Sequence, residues 1–235
     1  MKRNQSGFTL IEIAIVLVII GLLLGGVMKG QELINSAKVK NLAADFKNVP
    51  LFIYGYQDKF RSLPGDDTNV GTHLGATATS ATTPAGTLGN GLINGNWNSN
   101  TVTDESIVFW QHIRLAGLSA GSTTVPGSIT SDQDTYLPQN AVGGRVGVES
   151  GSTTPPIANL KGSYIVCSSH ILGKFAKQLD TTMDDGVSNT GSIMVTADTN
   201  GATAVTRTAG TAPAAIVPST TLPDDSTLYT VCMGV

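Results

Sequence analysis

Apolar positions along the chain fall into three regimes. From Phe8 to Met28 nearly every side chain is apolar, and Glu12 is the only ionisable one. This run of 21 residues is long enough for a helix to cross roughly 30 Å of hydrocarbon. The second regime is periodic. Val39, Leu42, Phe46, Val49, Ile53, Tyr56 and Phe60 recur at alternating steps of three and four, which places them on one face of a helix. Lys38, Lys40, Asp45, Lys47, Asp58 and Lys59 fill the other faces. No loop signal separates the two regimes. The pattern therefore predicts one helix from Phe8 to about Phe60, roughly 80 Å long. Gly25, Gly26 and Gly30 weaken it, and Pro50 is expected to kink it. The first breaker cluster is Ser62-Leu-Pro-Gly-Asp-Asp67, with a turn at residues 63–66.

The third regime is mixed. Residues 69–100 are rich in Gly, Thr, Ala and Asn and offer few apolar side chains, which predicts a long loop, functional or mobile. Thr103-Asp-Glu reads as a helix start with Thr103 as N-cap. Ile107, Val108, Trp110, Ile113 and Leu115 form its apolar face, and Gly117 followed by Leu118 ends it. Strands are predicted at Ser163–Cys167, Ser192–Thr196, Ala202–Arg207 and Leu228–Cys232. A short helix is predicted from His170 to Leu179. The expected class is α+β: a long N-terminal helix whose C-terminal half packs on an antiparallel sheet.

Composition removes several function classes. The chain has 235 residues, only 13% of them charged, with 29 Thr and 19 Ser. A coiled coil or charged rod would be rich in Glu, Lys and Arg. A net charge of -3, with scattered basic residues, gives no electrostatic footprint for nucleic acid. The three histidines, His73, His112 and His170, have no paired metal spacing, and no nucleophile elbow, C-x-x-C pair or phosphate-cradling loop is present. The expectation is a non-enzyme.

A short basic leader, Met1-Lys-Arg-Asn-Gln-Ser-Gly7, precedes the apolar run. Its charge orients the following helix with the leader in the cytoplasm. A secretory signal would be shorter and would end in small residues. An ionised Glu12 in lipid costs on the order of 3 kcal/mol and calls for a partner. Gly7-Phe-Thr-Leu-Ile-Glu12, between the leader and the apolar stretch, resembles the prepilin cleavage and methylation motif of type IV pilins and type II secretion pseudopilins. Tyr56–Asp67, and residues 105–121 with Trp-Gln-His and Leu-Ala-Gly-Leu, also resemble segments of prepilin-type proteins.

The resemblance implies a pilin fold and cleavage between Gly7 and Phe8 by prepilin peptidase, which then N-methylates Phe8. It implies that Glu12 sets the register of assembly by pairing with a Phe8 ammonium, within one subunit, where it lies one helical turn away, or between neighbouring subunits. The implied organisation is a leader at 1–7, a membrane and filament-core helix at 8–30, its amphipathic continuation at 31–61 and a globular head at 62–235. The implied function is a structural subunit of a type IV pilus-like filament. It sits in the inner membrane with a periplasmic head before assembly, and in an extracellular pilus or periplasmic pseudopilus afterwards. Its partners would be copies of itself, the peptidase and an assembly ATPase with its platform protein. Alternatives are a type II secretion pseudopilin, a minor pilin for adhesion or DNA uptake, and an anchored periplasmic binding module that never polymerises.

Two further expectations concern the head. In an exported protein the even cysteine count, Cys167 and Cys232, suggests a disulfide; two free buried thiols are the alternative. Asp180, Asp184 and Asp185 offer oxygen ligands for Ca²⁺, although the spacing is not that of an EF-hand, and helix termination with a turn is the alternative. Otherwise no cofactor is expected. Asp66 and Asp67 read as turn-capping residues rather than cation ligands.

Overall fold

The computed structural model describes residues 9–151, 155–198 and 223–235. In chain order these form α1 (Leu10–Phe60), α2 (Val70–Leu74), α3 (Glu105–Leu115), β1 (Val146–Ser150), β2 (Tyr164–Leu172), α4 (Gly173–Met183), β3 (Ile193–Ala197) and β4 (Leu228–Gly234). The chain divides into two units, Met1–Lys38 and Val39–Val235, and α1 contributes to both.

In the first unit every residue from Leu10 to Lys29 is exposed. Gly21, Gly25, Gly26 and Gly30 have nothing within 4 Å of where a Cβ would stand. The helix nevertheless passes through them unbroken. Among the described residues this is the one helix long and apolar enough to cross a membrane.

In the second unit the apolar stripe is buried at Val39, Leu42, Phe46, Val49, Ile53 and Tyr56, and the helix continues through a buried Pro50. Those positions share a core with Ile107, Phe109, Trp110 and Ile113 of α3. The antiparallel sheet, ordered β1-β2-β4-β3, presents to that core Val146, Val148, Val166, Ile171, Ile193, Val195 and Val231. Alternation along the strands turns Ile165, Cys167, Met194 and Cys232 to the opposite face. There they pack with Trp97, Ile157 and Leu160 in a second, smaller core. The sheet is thus covered on both faces. Gly147 makes the second layer fit: a Cβ there would stand 2.1 Å from the Trp97 carbonyl oxygen.

Both sheet edges are also covered, which removes the pairing hazard of open strands. Along β1, Ser150 N–H donates to Ile93 O at 2.9 Å, Ile93 N–H to Ser150 Oγ at 2.6 Å, and Trp97 N–H to Glu149 Oε2 at 2.7 Å. Along β3, Val195 N–H donates to Ser188 O at 2.8 Å.

The α+β class and long helix agree with expectation, but several local readings change. Strand β1 and helix α2 were not predicted. The helix expected at His170–Leu179 starts only at Gly173. His170 and Ile171 belong to β2, which bulges between Ser168 and Ile171 with His170 at φ 59°. The N-cap of α3 is Asp104 rather than Thr103. Its C-terminus ends as expected: Gly117 takes φ 78°, Gly117 N–H donates to Arg114 O and Leu118 N–H to Ile113 O, the bond pair of a Schellman motif. Leu118 then lies 3.4 Å from the position a Cβ on Gly55 of α1 would take. The strand expected at Ala202–Arg207 lies outside the described residues.

Candidate functional site

The N-terminal segment builds a local device that the periodicity did not reveal. Thr9 precedes the first helical residue, and Glu12 is the third residue of the helix. Thr9 N–H and Thr9 Oγ1 both donate to Glu12 Oε2 at 2.8 Å, and Glu12 N–H donates to Thr9 Oγ1 at 3.3 Å. This is a reciprocal capping box, readable in the sequence as T-x-x-E. It satisfies two of the helix's orphan N–H groups and gives the lone carboxylate of the apolar run its partners. Gly7 and Phe8 lie outside the described residues, so the pairing of Glu12 with the Phe8 amine remains a proposal.

The Leu63-Pro-Gly-Asp-Asp67 segment is buried throughout. Asp66 reaches a distant loop instead of capping the turn, whereas Asp67 caps the turn at Asn69 as expected and also ties it to Tyr56 of α1. The Asp66 carboxylate accepts backbone N–H groups of Gly89, Asn90 and Gly91. Asp67 accepts from the Tyr56 hydroxyl at 2.7 Å and from Asn69 N–H at 2.9 Å, and it pairs with His73 Nδ1 at 2.6 Å. Burial alone would raise the Asp67 pKa; the bonds from His73, Tyr56 and Asn69, with the His73 charge, hold it below the usual range. Burial and the adjacent Asp67 push the Tyr56 phenol well up.

The same device recurs at the start of α3. Glu105 accepts from Thr87 Oγ1 at 2.6 Å and from Asn94 N–H at 2.7 Å. Asp104 accepts from the Thr83 hydroxyl and from Ser99 Oγ. The 69–100 stretch, read from sequence as a loop short of apolar anchors, is therefore held by buried carboxylates and by buried Ala81, Ile93 and Trp97.

His112 of α3 has no exposed area. Gly65 N–H can only donate, so Nδ1 accepts it at 2.9 Å, and Nε2 carries the proton and donates to Thr79 O at 2.9 Å. Burial is the dominant cause that holds the imidazole below its usual pKa. The linkage sign follows. Above pH about 6.5 both folded and unfolded forms are neutral and nothing is lost. As pH falls below that value only the unfolded chain takes the proton, and stability drops. Asp45 and Asp180, each raised to about 6, act in the opposite direction over the same window, so total stability hides the effect. Comparison with His112→Asn isolates it, because asparagine keeps an acceptor for Gly65 N–H and does not titrate. The stability gap between wild type and variant should narrow by about 1 kcal/mol between pH 7.5 and 5.5. Urea unfolding of the full chain in detergent micelles checks this.

Asp180, Asp184 and Asp185 lie together, with ligand-capable atoms within 4.8 Å of one another. Asp180 ends up almost fully buried; burial, then its neighbours Asp185 and Asp184, raise it to about 6 although Gly186 N–H donates to it. Asp184 also accepts from Ile193 N–H at 2.7 Å, and Asp185 from Val187 N–H at 2.8 Å and Thr190 Oγ1 at 2.7 Å. The cluster thus serves as loop scaffold, and it has the donor set of a hard-cation site.

The two cysteines form a disulfide, with Cα atoms 4.0 Å apart and a sequence separation of 65. They face each other in register across β2 and β4.

Residues 2–28 match the prokaryotic N-terminal methylation motif, the prepilin motif of type IV pilins and pseudopilins. The motif supports a type IV pilin-like or pseudopilin subunit, a structural role rather than an enzymatic one. No curated protein and no solved structure matched the chain.

Proposed function

We propose that the chain is a structural subunit of a type IV pilus-like filament. Prepilin peptidase removes residues 1–7 by cutting between Gly7 and Phe8 and N-methylates Phe8. Residues 8–30 hold the protein in the inner membrane and then pack among copies in the filament core. Residues 31–61 continue the helix, and 62–235 form the outward head. One observation carries this reading: a helix exposed on every side from Leu10 to Lys29 begins at a methylation motif whose lone carboxylate is kept. Burying that surface against lipid and then against copies avoids exposing it to water. An assembly ATPase and platform protein would supply the work of extraction.

Expression with and without prepilin peptidase tests the processing step. The membrane-bound chain should lose the mass of residues 1–7 and gain one methyl group only when the peptidase is present. A mass unchanged by the peptidase would contradict the reading.

The acidic cluster favours a second reading, a type II secretion pseudopilin whose head takes Ca²⁺ at Asp180, Asp184 and Asp185. On that reading about 1 mM Ca²⁺ raises the thermal midpoint of the full chain in micelles by about 5 °C. Chelator reverses the rise and Asp184→Asn abolishes it. A midpoint unmoved by Ca²⁺ removes the metal from the account.

A further inference from the structure

The head holds a cavity of about 350 Å³ where the end of α1, the 61–68 segment, the Gly89–Gly91 loop and the start of β2 meet. Its lining includes Gln57, Arg61, Ser62, Asp66, Thr68 and Tyr164. Little of their polar capacity is used within the protein. Among the described residues the side chains of Arg61, Ser62 and Thr68 make no hydrogen bond or ion pair. Tyr164 Oη only accepts a long contact from Gln57 Nε2, at 3.5 Å. Asp66 differs: both of its carboxylate oxygens are engaged by the three backbone N–H groups of residues 89–91.

Arg61 follows α1 directly and takes φ 57°, the left-handed region that helix ends normally fill with glycine. A long cationic side chain held in a conformation that costs backbone strain is an outlier of the kind that collects at ligand sites. The walls around it are firmly held, by Asp66 on one side and by the His112 bond to Gly65 N–H on the other.

We propose that this cavity binds a carboxylate-bearing monosaccharide, free or as the end unit of a glycan. A guanidinium grips a carboxylate through two parallel N–H bonds. The Gln57 amide and the Ser62, Thr68 and Tyr164 hydroxyls offer both donors and acceptors for ring hydroxyls. The volume sits at the low end of small-ligand sites, the size of one or two sugar rings. A single cation suits a carboxylate better than a phosphate, which carries nearly two charges.

The test uses the full chain in detergent micelles with glucuronate, N-acetylneuraminate and its methyl glycoside, and glucose as the neutral control. Saturation-transfer NMR should give saturable binding of at least one acid, with a Kd at or below about 1 mM, and at least tenfold weaker binding of glucose. Arg61→Gly relieves the backbone strain, so it should keep the thermal midpoint while weakening the acid at least tenfold. Binding of the glycoside as well as the free acid assigns a glycan end; binding of the free acid alone assigns a soluble ligand. The proposal is overturned if neither acid saturates by about 10 mM, if glucose binds as tightly, or if folded Arg61→Gly binds as wild type does.

Discussion

Glu12→Gln should leave the protein in the membrane and processed, yet abolish filaments. Two roles meet at this carboxylate, and the substitution separates them. In the capping box Glu12 accepts Thr9 N–H and Thr9 Oγ1, and glutamine serves at that position nearly as well. Removing the charge also eases membrane insertion, because an ionised carboxylate in lipid costs on the order of 3 kcal/mol. What glutamine cannot do is neutralise a Phe8 ammonium. In the low-dielectric core of a filament, an ammonium left unpaired is worth several kcal/mol against assembly. The ammonium also opposes the positive end of the helix dipole. The expected result is therefore loss of filaments at unchanged membrane level, scored by electron microscopy and by immunoblot of the membrane fraction. Glu12→Ala should fail equally. If Glu12→Gln makes normal filaments while Glu12→Ala does not, capping is the whole role of Glu12 and the register proposal is wrong.

The second large effect concerns the disulfide. Cys167 and Cys232 are fully buried and join the two central strands of the sheet, β2 and β4. The loop they close holds α4 and β3. In the chain-entropy account, closing a loop between cysteines separated by 65 positions stabilises the fold by roughly 4 kcal/mol. For a chain of this size that corresponds to a fall in midpoint of roughly 10 °C in the Cys167→Ser, Cys232→Ser double variant. Thermal unfolding of the full chain in micelles under oxidising conditions measures it. A double variant within about 2 °C of wild type would mean the sheet holds its register without the cross-link.

The parts of the fold legible in sequence were those with a local period. Six of the seven stripe positions of α1 are buried because a 3.6-residue repeat leaves a helix one face to bury. Strands β3 and β4 read as β-branched runs for a similar reason. Strand β1 did not, because Gly147, Glu149 and Ser150 look like loop residues. Their burial comes from the distant Ile93–Trp97 segment, which crosses that edge. The His170 region failed because Ile171 and Leu172 suit a helix face and a strand equally; the bulge after Ser168 lets the strand run on. The staples at Asp66, Asp67, Asp104 and Glu105 were the hardest to see. Asp66 holds the Gly89–Gly91 loop, Glu105 holds Thr87 and Asn94 and Asp104 holds Thr83, and bonds to groups far along the chain leave no local signature; only the Asn69 bond of Asp67 is a local cap. At the N-terminal site the opposite holds. The T-x-x-E box was visible in four residues and was absorbed into the larger motif that contains it.

The low charge of the chain also takes on a structural meaning. Much of the acid it carries is buried: Asp66, Asp67, Asp104, Glu105, Glu149 and Asp180 all lie within the second unit. There these carboxylates hold Gly-, Thr- and Asn-rich loops that have too few apolar residues to pack themselves. An exposed charged surface is correspondingly sparse.

The most direct test of the filament proposal is the identity of the protein sheared from the cell surface. Electron microscopy of that fraction should show thin filaments. Mass spectrometry of its main band should find this chain beginning at N-methylated Phe8, with the leader absent. A surface fraction without the chain, while Met1 and the intact leader stay in the membrane, would contradict the account.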